Sequence, residues 1–252
     1  MFIPKISFGA IAEVSGQNKG TESTTNNVTF SLPFAGNITT GNTIIVAIAI
    51  ISSSSATINT PTQSAGTATL GTITLDKSYS PSKNGDGYYF EISVYHAYVT
   101  AGGSCTIAVG TNSGGGIAMI DEFSGMATSS PVYGTPVATN GTNNTENPGS
   151  ISTQNGGMAL MISADESGGD GSYTQTNTNI YNIPTGGSTN TGQGEFDLTA
   201  TGGSQTVTAA ASAGLAIRYW AAAGVAYSPA PPTTTYSVIH GMSTIHGLST
   251  IH

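Results

Sequence analysis

The stretch GYYFEISVYHAYVT, residues 87–100, decides the fold class. Its bulky residues can be dealt to two sides of an extended chain. Phe90, Ile92, Val94, His96 and Tyr98 fall on one side, and Tyr89, Glu91, Ser93, Tyr95 and Ala97 on the other. The first set is the more apolar and is the expected core face. A helix would scatter both sets around its circumference.

Working outward, β-branched and aromatic runs broken by Gly, Asn, Ser and Pro clusters recur at short intervals, and no helical period stands out. Strands are expected over residues 5–11, 26–32, 43–51, 67–75, 87–99, 104–109, 116–124, 157–164, 173–182, 194–199, 205–211 and 214–227. TIIVAIAII (43–51) is apolar on both faces. It reads as a mid-sheet strand, covered on one side by the opposite sheet and on the other by a loop or a neighbouring subunit. GLAIRYWAAAGVAY (214–227) sets Leu215, Ile217, Tyr219, Ala221 and Ala223 opposite Arg218 and Trp220, as the last strand of a sandwich. Residues 80–87, 138–150 and 184–194 read as exposed loops.

The expected fold is therefore all-β: a jelly-roll-like antiparallel β-sandwich over residues 1–227, followed by a short repeat forming an intersubunit β-stalk. Between them, SPAPPTTT opens a Pro/Thr-rich linker over 228–236 that favours an extended connector.

Residues 237–252 form the hexapeptide-repeat tail, and no other repetition is expected in the chain. There Ile239, Met242, Ile245, Leu248 and Ile251 fall at every third position, neither the period of a flat strand nor that of an α-helix. A period of three suits a chain wound around a three-sided axis. So short a repeat cannot bury its own apolar edge and needs copies stacked beside it. A homotrimer is the expectation. His240, His246 and His252 recur every six residues and are weak metal candidates; with no Cys or carboxylate beside them, a structural role is the expected one.

Only 7% of residues are charged, against roughly 25% in ordinary proteins, so solubility rests on Ser, Thr, Asn, Gln and Gly. The net charge is −8, and Lys5, Lys19, Lys77, Lys83 and Arg218 are dispersed, which argues against nucleic acid and against anionic membranes as partners. The longest apolar run is about half of what a membrane-spanning helix needs. The amino terminus lacks the basic and apolar regions of a secretion signal, with Pro4 interrupting its one apolar patch. The lone cysteine, Cys105, sits in an apolar alternation and reads as a buried small hydrophobe.

Signatures of catalytic chemistry are sparse. Hydrolase-elbow, P-loop, dinucleotide and H-E-x-x-H patterns are absent from the sequence. His96 reads as a hydrogen-bonded core residue, and Asp121 and Glu122, adjacent on a strand, point to opposite faces. Asp76, Asp86, Asp165, Glu166 and Asp170 read as solvated loop acids. No enzyme and no cofactor is expected. Tyr79, Tyr88, Tyr89, Tyr95, Tyr133, Tyr173 and Tyr181 are placed in loops or on outer faces, where they suit either a glycan surface or a subunit contact; Tyr79, Tyr88, Tyr89, Tyr133 and Tyr181 are the glycan-binding candidates.

GNTIIVAIAI, VYHAYVTAGGSCTIAVG, AMIDEFSG, GSISTQNGGMALMISA and GLAIRYWAAAGVAYSPA together resemble a β-sandwich module of bacterial surface proteins and phage structural proteins, over roughly residues 25–230. The tail resembles terminal repeats of phage fibre and capsid-decoration proteins. The resemblance implies a non-enzymatic virion surface protein serving particle stability or host adsorption, with itself and other virion subunits as partners. Alternatives are a subunit of an extracellular filament or surface layer, and a secreted glycan-binding module.

Overall fold

The computed structural model describes residues 4–7, 9–23, 28–167, 173–175, 178–182, 191–198, 202–211, 217–231 and 233–236. Within them all regular structure is strand. The first half carries β1 (Pro4–Ser7), β2 (Ala12–Glu13), β3 (Lys19–Ser23), β4 (Thr29–Pro33), β5 (Thr43–Ser52), β6 (Thr62–Gly66), β7 (Thr69–Leu70), β8 (Thr74–Tyr79), β9 (Tyr89–Ala101), β10 (Cys105–Gly110) and β11 (Gly115–Ser124). The second half carries β12 (Val132–Gly141), β13 (Thr145–Glu146), β14 (Ile151–Thr153), β15 (Met158–Ser167), β16 (Tyr173–Gln175), β17 (Thr178–Asn182), β18 (Thr191–Leu198), β19 (Gly203–Gln205), β20 (Ala209–Ala211) and β21 (Ile217–Tyr227), with β22 (Thr233–Tyr236) after it.

Among the described residues all strand pairings are antiparallel, and the two halves repeat one strand order. In the first, β11 lies between β5 and the short edge strands β2 and β3, and β9 follows β5 and carries β8. In the second, β21 lies between β15 and the edge strand β12, and β18 follows β15 and carries β17. The registers correspond as well. Thr43 stands between Phe123 and Tyr98, just as Met158 stands between Tyr227 and Leu198. Each half adds a smaller sheet, β4-β10-β6 in the first and β13-β20-β16 in the second, and β14 pairs with β19.

The chain therefore repeats itself outside the tail, contrary to the expectation from sequence. What the two halves share in residues is slight. Gly102-Gly103-Ser104-x-Thr106-Ile107 returns as Gly202-Gly203-Ser204-x-Thr206-Val207, one hundred positions later. Both second glycines take a positive φ, 153° at Gly103 and 144° at Gly203. A Cβ on Gly102 would lie 2.7 Å from the Ile38 carbonyl oxygen, and one on Gly202 2.8 Å from the Asn155 nitrogen, so backbone crowds the same turn in each half.

The large sheets meet face to face. Ile45, Ile92, Met119 and Phe123 of one pack against Leu160, Ile162, Phe196 and Tyr227 of the other. All ten residues of β5 are buried, as its two-sided apolarity requires. Its second face is covered by neither a loop nor a neighbour: Ile44, Val46, Ile48 and Ile50 are roofed by Phe30, Leu32, Ile107 and Val109 of the same chain's smaller sheet. A third cluster, with Ile151, Met161, Val207 and Trp220, covers the outer faces of β15 and β21 in the second large sheet. Each fully buried Ile contributes about 1.5–3 kcal/mol of transfer free energy, which makes these layers the main source of stability. Tyr95, expected on an outer face, is buried in the second cluster for the same reason.

The 228–236 segment is bonded along both ends. Ser228 and Ala230 donate their N–H groups to the carbonyls of Pro131 and Gly125 (both 2.7 Å), and β22 pairs with β1, Pro4 opposite Tyr236. The tail residues Ile239, His240, Met242, Ile245, His246, Leu248, Ile251 and His252 lie outside the described residues.

Candidate binding grooves along the seam between the sheets

Two edge strands border the joint between the large sheets on one side: β8 of the first sheet and β12 of the second. Sequence alone reads Asp76 as a loop acid and residues 80–87 and 138–150 as exposed loops. In the structure Thr74–Tyr79 and Val132–Gly141 are strands, whose ladders shift register at Leu75/Lys77 and between Tyr133 and Val137, around Pro136. Edge strands bury little and tolerate Pro and bulges, so they carry little apolar alternation to be read. Lys77 Nζ reaches the Pro136 carbonyl at 3.5 Å across the joint.

At one end of this seam lies a groove of about 470 Å³ lined by Leu75, Asp76, His96, Ser130, Pro131 and Val132 among others. Asp76 is not a solvated loop acid. Its side chain is 1% exposed, Oδ1 lies 2.6 Å from His96 Nδ1, and Oδ2 accepts a 2.6 Å hydrogen bond from the Tyr227 hydroxyl. Burial, followed by the Asp76 charge and its hydrogen bond, holds the Tyr227 phenol well above its ordinary range, so it stays protonated and donates. A carboxylate–imidazole pair can orient a general base. Thr128 and Ser130, the latter at φ 49°, supply hydroxyls to the same groove. Among the described residues no hydrogen bond joins His96 to either, and the cluster reads as a polar lock between the halves.

At the other end is a groove of about 570 Å³ lined by Tyr79, Ser80, Pro81, Ser82, Lys83, Asn84, Asn140, Thr142 and Tyr219. Both halves build it. The Tyr79 hydroxyl donates to Asn140 Oδ1 at 2.6 Å. Asn84 Oδ1 accepts the N–H groups of Asp86 (3.1 Å) and Tyr88 (2.7 Å), while its Nδ2 donates to Glu166 Oε2 at 3.2 Å. Lys83 Nζ stands 5.6 Å from the centre of the Tyr89 ring.

Of the tyrosine candidates, Tyr79 lines this groove, Tyr88 is half-buried against the main core and Tyr89 sits beneath Lys83. Tyr133 is 38% exposed on β12, and the side chain of Tyr181 lies outside the described residues. Tyr219, Asn84 and Asn140 were not singled out in sequence: Tyr219 belongs to a strand read as core, and isolated asparagines in polar stretches carry no signal. A third hollow of about 620 Å³, beside Gly202 and Pro229, has no aromatic or ionisable side chain among the described residues of its lining.

No protein-family model, curated protein or solved structure matches this chain. Its site chemistry stands on its own geometry.

The buried acids form no metal centre: among the described residues no group of three His, Cys, Asp or Glu side chains could hold an ion. Asp121, on the face of β11 shared with Met119 and Phe123, accepts the Glu122 N–H at 2.7 Å through Oδ1, and its Oδ2 has no hydrogen-bond partner among the described residues. Burial, aided by the charges of Glu13 and Glu122, pushes its carboxyl up to about 8 against the lowering effect of that N–H. Glu122 on the opposite face accepts from Thr39 N (2.7 Å) and Asn42 Nδ2 (2.6 Å), bracing the turn before β5. Asp165 and Glu166 lie in β15 rather than in a loop, and both are buried.

Proposed function

We propose that the chain is a non-enzymatic structural protein of an outward-facing assembly: a capsid-decoration or fibre component at a phage virion surface, contributing to particle stability or host adsorption. The observation that carries this reading is the self-sufficiency of the described body. Among the described side chains, the first large sheet is filled on both faces and β15 and β21 of the second likewise, all from the same chain, and the exposed large hydrophobic residues are Leu75, Tyr133 and Leu198. Among these side chains no broad apolar face is left for assembly. Association is then assigned to the triplet-spaced aliphatics of residues 237–252, which cannot shelter themselves. A low-charge skin rich in Ser, Thr, Asn and Gly suits display to the exterior.

The test is immunogold labelling of particles sedimented from a culture of the source organism, with an antibody raised against residues 4–236. Regular labelling of virions supports the reading. Label found on continuous cell-bound arrays would replace it with a surface layer or filament, and label confined to the unsedimented fraction would end it.

A further inference from the structure

We propose that the groove between Tyr79 and Tyr219 is a binding site for neutral carbohydrate, assembled only when the two halves are docked. This inference is independent of where the protein resides, so failure of the particle labelling leaves it standing.

Asn140 Oδ1 is occupied by the Tyr79 hydroxyl, which fixes the amide orientation and turns its two N–H donors away from that bond. Asn84 is held by three bonds, two into its oxygen and one from its nitrogen to Glu166, leaving one N–H on that nitrogen beyond the bond to Glu166. Both asparagines line the groove, and both amides are engaged before any ligand arrives. Pre-orientation lowers the entropic cost of engaging vicinal hydroxyls.

Tyrosine rings supply the complementary apolar surface, since sugar rings present C–H faces that lie flat on aromatic planes. Tyr79 and Tyr219 line opposite sides of the joint, and both are partly exposed. Gly85 permits this placement of Tyr219, because a Cβ there would run into its hydroxyl. The choice of a neutral ligand follows from charge. Lys83 is the one cation among the described residues of the lining, and its ammonium lies over Tyr89; with a chain net charge of −8, a polyanion finds little to neutralise.

The experiment is isothermal titration of the full chain with maltohexaose, cellohexaose, chitohexaose and a mannohexaose, backed by an array carrying both neutral and acidic glycans. A millimolar or tighter dissociation constant for at least one neutral oligosaccharide is expected. Asn140→Ala, at an exposed position, should weaken it at least tenfold; Gly85→Val should do the same by displacing Tyr219; Tyr133→Ala, outside the groove, should leave it unchanged. Circular dichroism verifies that each variant is folded, and if Gly85→Val is not, Asn140→Ala alone decides. Absence of binding to every neutral glycan, binding to acidic glycans only, or binding that Asn140→Ala leaves intact would overturn the proposal.

Discussion

The Tyr227 hydroxyl donates to Asp76 Oδ2 at 2.6 Å, joining residues 151 positions apart, and the other oxygen of that carboxylate meets His96 Nδ1 at the same distance. In the repeated strand order Tyr227 corresponds to Phe123 and His96 to Phe196. Those two phenylalanines touch edge to face, 5.1 Å between ring centres at 87°. One position of the joint is thus closed by aromatic packing and its counterpart by a phenol–carboxylate–imidazole chain. Tyr227→Phe would leave a buried carboxylate oxygen without its donor and is expected to cost about 1–3 kcal/mol. Urea denaturation measures this; a variant as stable as the parent would mean that the hydrogen bond does not lock the halves.

The glycine pair that opens the turn in both halves should be equally intolerant. Gly102→Ala and Gly202→Ala each force a Cβ against backbone, and each is expected to lower stability by about 1–3 kcal/mol. Gly16→Ala, where φ is +79° and nothing lies within 4 Å, should cost only about 1 kcal/mol. If thermal melts ranked Gly16→Ala as the worst of the three, the crowding described here would be wrong.

Cys105 is buried in the second core, the cluster that also holds Phe30 and Leu32, and burial pushes its thiol up to about 11. Ellman's reagent at pH 8 should therefore find no reactive thiol in the native protein and one per chain in guanidinium. Rapid labelling without denaturant would show that the smaller sheet does not cover β5.

Asp121 predicts a pH dependence with a definite sign. Its native carboxyl titrates near 8 and its unfolded one near the ordinary value of about 4, so between these the native state holds a proton that the unfolded state has released. Stability therefore falls as pH rises through that window. Asp121→Asn keeps the acceptor for the Glu122 N–H and removes the titration. Its urea midpoint should exceed the parent's at pH 8 and approach it at pH 4.5. A parallel pH profile for the two proteins would rule out Asp121 as the titrating group.

The all-β class was legible because β5, β9 and β21 are long central strands whose two faces both need cover, and such strands concentrate aliphatic and aromatic residues. The candidate grooves were far less legible. They are bordered by β8 and β12, edge strands with polar, bulged sequences that read like loops, and Asp76 looked solvated for the same reason. His96 was readable as a hydrogen-bonded residue, but its partner was not, since nothing local ties residue 96 to 76. The repeated strand order stayed hidden because backbone geometry preserves it while packing allows the side chains to diverge. Only the crowded Gly-Gly turn constrains residues strongly enough to leave an echo.

Assembly through residues 237–252 is the claim on which the structural role depends. Multi-angle light scattering of the full chain, beside a chain ending after Tyr236 so that the β1–β22 pair is retained, tests it most directly. The full chain should run at about three times its 25.3 kDa and the shortened one as a single copy. Equal masses for the two would contradict the account.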